Sequence, residues 1–171
     1  LPLKSIDDAL NLRNHLLLNT ERAVRTPDLA ERRKLQTIVI AGGGPTGVEV
    51  SGMLAEMGKH IMAKDYPEIS HAEAKIYLID AAPTLLGPMS KKAQIEAHQV
   101  LKKLGVEIIL DTTVKDYVDE EVLLGNGERI PTHTLVWTSG VVARVAPGLK
   151  TVSIGKGRRI LVNEFNEVNG H

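Results

Sequence analysis

The sequence contains no cysteine. This excludes disulfide bonds, cysteine nucleophiles and thiolate metal sites within the chain, and it is compatible with a reducing compartment. Charge of either sign is not in excess, because 21 Lys and Arg residues balance 21 Asp and Glu residues. The basic runs at 32–34 and 156–159 are short, so we expect no nucleic-acid partner.

Two further absences narrow the possible functions. No apolar run approaches the roughly 18 residues that a membrane-spanning helix needs. None of the six histidines lies four residues from another, so the close spacing that is typical of metal ligands on a helix is missing. We therefore predict neither a membrane span nor a metal site.

The apolar residues, 43% of the total over 171 residues, are enough for one buried core. Their spacing predicts helices over residues 5–25, 46–63 and 90–104, and buried strands over 37–41, 75–80 and 106–110. Ser5 and Asp8 form a candidate capping box at the first helix. Helices and strands that alternate in this way are typical of a parallel sheet with helices on its faces.

The pattern changes after Asp111. Short strand-like segments at 112–118, 121–124 and 128–131, with a Gly-Asn-Gly turn at 125–127, predict an antiparallel meander. Residues 134–138 then return to the apolar character of a central strand, and we interpret Trp137 there as a core residue. The sequence predicts an α/β fold: a Rossmann-like, three-layer parallel sheet with an antiparallel β-meander crossover.

A glycine turn joins the first strand to its helix. Gly42, Gly44 and Gly47 form G-x-G-x-x-G, in which glycine permits a tight turn, close approach to a pyrophosphate, and close packing of helix on sheet. Pro45, with its fixed φ and missing N–H, suits the first helical turn. Gly43 and Thr46 complete a loop at a helix N-terminus, where N–H groups favour an anion.

An acid stands at the end of the second strand. Asp80 can accept hydrogen bonds from both hydroxyls of an adenosine ribose, and its charge would repel a 2′-phosphate. Since residues 81–83 (Ala-Ala-Pro) offer no arginine, the pattern favours NAD(H) over NADP(H). Asp80 lies 33 residues beyond Gly47 instead of about 20, an excess that an insert at 64–74 would explain. The alternative is a carboxylate that only caps the next turn.

At these residues the sequence resembles a known family. Residues 38–56 (IVIAGGGPTGVEVSGMLAE) closely resemble the second dinucleotide-binding motif of type II NADH dehydrogenases. Residues 5–23, 64–86, 101–114 and 135–141 resemble the helix before that motif, the second-strand region with its insert, and later elements. The resemblance extends over nearly the whole chain, to about Gly148.

The resemblance implies a larger enzyme that passes a hydride from NADH to FAD and on to quinone. Residues 1–34 would be a leading helix and linker from a flavin domain, 35–150 a single NAD(H)-binding domain, and 151–171 a return segment toward the flavin domain. FAD, quinone and membrane contacts would lie outside these residues, so that the chain alone binds NADH without catalysis. We expect the whole enzyme on the cytoplasmic side, peripheral on the inner face of the cytoplasmic membrane, and compatible with a homodimer.

The same resemblance implies roles for further residues. Glu49 would orient the nicotinamide carboxamide; a solvent-facing glutamate stabilised by the helix dipole is the alternative. The segment Thr138-Ser139-Gly140 would pass close to the dinucleotide, as would Ala81 beside the acid, although Gly140 also fits an ordinary turn.

Two other functions remain open from the residues themselves. The chain could belong to another flavoprotein reductase, acting on a disulfide, ferredoxin or nitrite, because these enzymes share the nucleotide domain. It could also be a nucleotide-sensing or interaction module without catalysis.

Overall fold

The computed structural model describes residues 1–68, 74–140, 143, 147–148 and 153–168, and the chain divides into two units, 1–139 and 140–171. The elements of the first unit are α1 Ile6–Arg25, α2 Leu29–Gln36, β1 Thr37–Ala41, α3 Pro45–Met57, α4 Ala63–Asp65, β2 Lys75–Ile79, α5 Lys91–Leu104, β3 Val106–Ile109, β4 Val114–Val118, β5 Glu121–Leu124, β6 Arg129–Pro131 and β7 Thr134–Trp137. Boundaries at residues 34 and 150 stay a prediction.

Four strands form a parallel sheet in the order β3-β2-β1-β7. In the middle, Val39 is paired with Tyr77 of β2 and with Leu135 of β7. The three remaining strands form an antiparallel sheet in the order β4-β5-β6. Since this meander connects β3 to β7 at opposite edges of the parallel sheet, the predicted α/β fold with a meander crossover is confirmed.

The sheet separates two cores, because successive side chains of a strand point to opposite faces. On one face, Ile40, Leu78 and Val136 pack with residues of the helices, namely Leu12, Leu54 and Leu101. On the other face, Val39 and Ile79 pack with residues of the meander, namely Val122, Leu124 and Ile130. The structure has three layers, as predicted. However, the described helices that contribute to these cores cover only one face of the sheet, and the meander covers the other face.

The first helix begins as its capping residues predict. The Asp8 N–H donates to Ser5 Oγ at 3.1 Å, and the Asp8 carboxylate accepts the Lys4 N–H at 2.9 Å. Sequence reasoning missed α2, although a signal was present. Asp28 accepts the Ala30 N–H at 2.9 Å, and Asp28 with Glu31 three positions later is a recognisable helix start.

The second predicted helix is shorter than expected. α3 ends at Met57, and Gly58–Met62 forms a π-helical turn before α4. The chain therefore keeps a helical path as far as Asp65, but with a widened turn inside it. Residues 69–73 of the predicted insert lie outside the described residues.

The second unit is irregular in its described part. It contains a 3₁₀ turn at Lys156–Arg158 and isolated bridges that pair Ile154 with Ile160 and Val162 with Val168. Among the residues that the structure describes, no helix combines the length and the apolar character needed to cross a bilayer.

Candidate dinucleotide-binding site

The glycine turn lies at the carboxyl end of β1, and two of its positions accept only glycine. Gly42 has φ +123°, and an added Cβ would lie 2.7 Å from Thr138 Oγ1. At Gly47 an added Cβ would lie 1.8 Å from the carbonyl oxygen of Gly42. Because that distance is far inside van der Waals contact, Gly47 is what allows α3 to approach the strand end so closely.

The first turn of α3 has the geometry of an anion site. Gly44 is the N-cap residue, with φ −74° and ψ −177°, and Pro45 is the first helical residue. The first intrahelical bond runs from the Val48 N–H to the Gly44 carbonyl at 3.0 Å. The N–H groups of Thr46 and Gly47 precede it, at the positive end of the helix dipole. No atom of the described residues lies within 4 Å of a Cβ built on Gly44, so the described part of the chain leaves the approach to this end open.

Asp80 directly follows β2 and is bound to the glycine turn. One carboxylate oxygen accepts the Gly43 N–H in a short hydrogen bond, and the other accepts the Ala82 N–H at 2.7 Å. The side chain is half-buried. The carboxylate thus caps its own turn and also lies at the glycine turn, so the two roles considered for Asp80 are compatible.

The segment after β7 completes the arrangement through Thr138, the first residue of the segment that the family resemblance places close to the dinucleotide. Its hydroxyl lies 3.0 Å from the Ala41 carbonyl and 3.1 Å from the Gly42 carbonyl, to which it can donate, and the Ser139 N–H donates to Ala41 at 3.2 Å. On the other side, the Leu86 N–H donates to the Gly43 carbonyl at 2.8 Å. These bonds fix the loop that a ligand would meet.

An open cleft of about 190 Å³ lies at the carboxyl ends of β1, β2 and β7. Of the predicted site residues, Gly42, Asp80, Ala81 and Ser139 line it. Trp137 lines it too and is 40% exposed, so its interpretation as a core residue is wrong: β7 ends here, and its last side chain faces outward.

The remaining predicted residues lie at different places. Pro45 and Thr46 are exposed in the first turn of α3, and Glu49 is exposed at the start of its second turn. Gly140, with φ +78°, belongs to the second unit. Its positive φ is typical of a turn glycine, whatever else it does.

The structure brings together two glutamates and a histidine whose positions in the sequence do not predict a cluster. Ligand atoms of Glu31, Glu120 and His133 lie within 4.8 Å of one another, and His133 Nε2 is 2.8 Å from Glu31. Lys34 lies 3.5 Å from Glu120, and Arg22 lies 3.5 Å from Glu31. Since cations already accompany both glutamates, the arrangement is that of an ion-pair network.

A glycine turn between a buried strand and a helix, with an acid at the end of the next parallel strand, defines a Rossmann-type dinucleotide-binding fold. The model of the pyridine nucleotide-disulphide oxidoreductase family matches residues 3–171. The chain belongs to this family.

The curated relatives of the chain are similar to it in a more specific way than the family as a whole. The chain is 36% identical over 178 residues to the type II NADH:quinone oxidoreductase NdhA of Mycobacterium tuberculosis, with 99% of the chain and 38% of the relative covered. It is 41% identical over 145 residues to Ndh of the same organism, with 82% and 31% covered. The chain therefore spans about a third of the length of these relatives.

A solved structure supports the fold. NDH2 from Plasmodium falciparum in complex with NADH superposes with a TM-score of 0.78 at 23% identity, over 84% of this chain and 30% of that one.

Proposed function

We propose that this chain is the NADH-binding part of a flavin-dependent NADH dehydrogenase of type II, which passes a hydride from NADH to FAD and on to quinone. The observation that carries the proposal is the bond between Asp80 and the Gly43 N–H. It joins the acid to the glycine turn, so that one ligand could use both. The names of the curated relatives support the reaction.

The residues of the turn would bind the pyrophosphate through the main chain. The N–H groups of Thr46 and Gly47 and the dipole of α3 favour an anion there. Gly42, Gly43 and Gly44 keep side chains away from it, and Pro45 sets the helix start. None of these groups takes part in chemistry; their role is to bind and to orient.

Asp80 would select the cofactor. Its carboxylate can accept the two hydroxyls of the adenosine ribose, with Ala81 leaving room beside it. None of the described residues that line the cleft is basic, so a 2′-phosphate would meet a negative charge without a compensating cation. This favours NADH over NADPH.

Glu49, Ser139 and Gly140 would serve the nicotinamide end. An exposed glutamate at the start of the second turn of α3 can hold a carboxamide by accepting its N–H, which fixes the face of the ring that transfers the hydride. Hydride transfer itself is chemistry that NADH and FAD supply when bound. FAD, quinone and the membrane surface would be bound by other parts of the enzyme, peripheral at the inner face of the membrane and able to dimerise.

Calorimetric titration of the chain with NADH and with NADPH tests the cofactor assignment. We expect NADH to bind more tightly than NADPH. In Asp80→Asn, NADH should bind about ten- to a hundredfold more weakly, since hydrogen bonds to a charged acceptor contribute about 1.5–3 kcal/mol, and the preference over NADPH should shrink. Asp7→Asn, an exposed carboxylate on α1, is the matched control.

Preference for NADPH, or absence of NADH binding, would contradict this assignment. The reaction needs a separate test: full-length enzyme is supplied with NADH and a quinone, and quinone reduction is followed. If NADH binds but quinone is not reduced, while a disulfide or ferredoxin is, the chain belongs to another reductase of the same family.

A further inference from the structure

A second cavity lies at the opposite end of the parallel sheet from the dinucleotide cleft. It has a volume of about 100 Å³ and is enclosed by α1, by the start of β1 and β2, and by the end of α3, with Leu16, Gln36, Ile38, Met57, Met62 and Ile76 among its lining residues. Gln36 immediately precedes β1, whereas the glycine turn follows it. The five residues of β1 separate the two sites by roughly 16 Å.

The wall of this cavity is mostly apolar, and the described side chains in it that carry polar atoms are those of Thr20, Gln36 and Tyr66. Both amide atoms of Gln36, Oε1 and Nε2, are buried and have no hydrogen-bond partner among the described residues. Two hydroxyl side chains also border the cavity, but both already donate within the protein: Thr20 to the Leu16 carbonyl at 2.9 Å and Tyr66 to Glu21 at 2.9 Å. Among the described side chains that line the cavity, Gln36 is the one whose buried polar atoms lack any hydrogen-bond partner.

Leaving this amide unpaired is costly. A buried donor or acceptor without a partner costs about 1–3 kcal/mol, and a polar side chain in an apolar wall would disfavour folding without a compensating contact. A ligand that pairs with the amide would remove that cost and also bury the surrounding apolar surface. The combination of an apolar cavity with one or two placed polar groups is characteristic of small-molecule sites.

The π-helical turn supports the same interpretation. Gly58 and Met62, the first and last residues of that turn, both line the cavity. π-turns inside helices occur frequently at functional sites, because the widened turn re-aims side chains. Here the widened turn brings the flexible Met62 side chain to the cavity, where Met57 also lies.

We propose that this cavity binds a small, largely apolar ring that carries a cyclic amide edge, with its N–H beside its C=O. The carboxamide of Gln36 presents an acceptor and a donor side by side, and a cyclic amide presents the complementary pair. The cavity, at about 100 Å³, is smaller than an engineered apolar cavity of about 150 Å³ that admits benzene, so a single five- or six-membered ring is the largest ligand that we expect it to bind. The site is distinct from the dinucleotide cleft.

The four methionines provide a direct test, since Met57 and Met62 line the cavity while Met53 and Met89 are 55% and 45% exposed. The chain is labelled with ¹³C at the methionine methyl groups and titrated with δ-valerolactam. We expect saturable shifts at Met57 and Met62 and none at Met53 and Met89. N-methyl-δ-valerolactam, which lacks the donor, should bind at least about tenfold more weakly, since a hydrogen bond is lost and an amide group stays buried.

Two variants test separately the role of the Gln36 amide and the role of the cavity space. Gln36→Leu keeps the size of the side chain and removes the amide, so δ-valerolactam should bind at least about tenfold more weakly. Leu16→Phe fills the space, so binding should be lost while Gln36 is retained. Circular dichroism establishes that both variants are folded. No shift at Met57 and Met62, equal shifts at all four methionines, or unchanged affinity in folded Gln36→Leu would overturn the proposal; ordered water alone in the cavity would give the first of these results.

Discussion

Two polar side chains at opposite ends of the parallel sheet, Asp80 and Gln36, differ in how completely they are hydrogen-bonded. At the carboxyl end, both oxygens of Asp80 accept backbone N–H groups, and Thr138 bonds two carbonyls of the turn. At the amino end, the Gln36 amide lies against an apolar cavity with neither atom bonded within the described chain. A polar network that is complete fixes a loop in one geometry, whereas an incomplete one lowers stability until something else pairs with it.

We expect the largest loss of stability when a side chain is added at the close contact between α3 and the end of β1. In Gly47→Ala the new Cβ would meet the Gly42 carbonyl at 1.8 Å, and backbone on both sides prevents easy relaxation. We expect at least about 3 kcal/mol of destabilisation, at the upper end for overpacking, in urea unfolding. Gly87→Ala, where nothing lies within 4 Å of the added Cβ, should change stability little. A loss below 1 kcal/mol in Gly47→Ala would contradict the close packing seen here.

We expect the second-largest loss of stability when the carboxylate of Asp80 is removed. Asp80→Ala leaves the N–H groups of Gly43 and Ala82 without their acceptor, and the half-buried position gives them partial access to water. We expect about 2 kcal/mol of destabilisation. Asp116→Ala removes an exposed carboxylate that also accepts a neighbouring N–H, and it should cost about 0.5 kcal/mol or less. Equal losses in the two variants would mean that Asp80 does not hold the glycine turn.

At the amino end of the sheet we expect a substitution to raise the free energy of unfolding instead of lowering it. Gln36→Leu replaces a buried, unpaired amide with an apolar side chain of similar size, which should raise the free energy of unfolding by about 1 kcal/mol. Urea unfolding without added ligand measures it. Gln99→Leu, on the outward face of α5, is the control for replacement of an amide in itself. A destabilised Gln36→Leu variant would remove the contrast between the two ends.

The smallest expected effect is the dependence of the free energy of unfolding on pH. Burial lowers the pKa of His15, the His133 carbonyl partly offsets this, and the positive charges of the N-terminus, His133 and Arg22 add to the lowering. The folded state then binds fewer protons than the unfolded state, so stability falls as pH drops from about 6.5, the ordinary value, through the lowered value. We expect a loss below about 1 kcal/mol, because the side chain is only partly buried.

Chemical unfolding at several pH values between 7 and 5 measures this loss. The variant His15→Gln should show a flatter dependence on pH than the parent chain. An identical slope in both proteins would assign the pH dependence to other groups.

The comparison of sequence and structure shows where local signals suffice. Strand β1 and the start of α3 were predictable because β-branched residues, glycine and proline restrict the backbone directly. α2 was missed although its Asp28 cap was readable, because its short and polar sequence gives little periodicity. The end of α3 was misjudged because the apolar residues Ile61 and Met62 extend the helical pattern of the sequence beyond Met57, where the backbone changes to a π-helical turn. The exposure of Trp137 depends on where β7 ends.

The sequence by itself determined the order of helices and strands, the glycine turn and the acid after β2, because each depends on residue types within a few positions of one another. Only the tertiary structure decided that the meander covers one face of the sheet, that Asp80 bonds to Gly43, and that an unpaired Gln36 borders an apolar cavity. These facts join residues that are far apart in the chain, and their contacts depend on how whole layers pack, which no local pattern encodes.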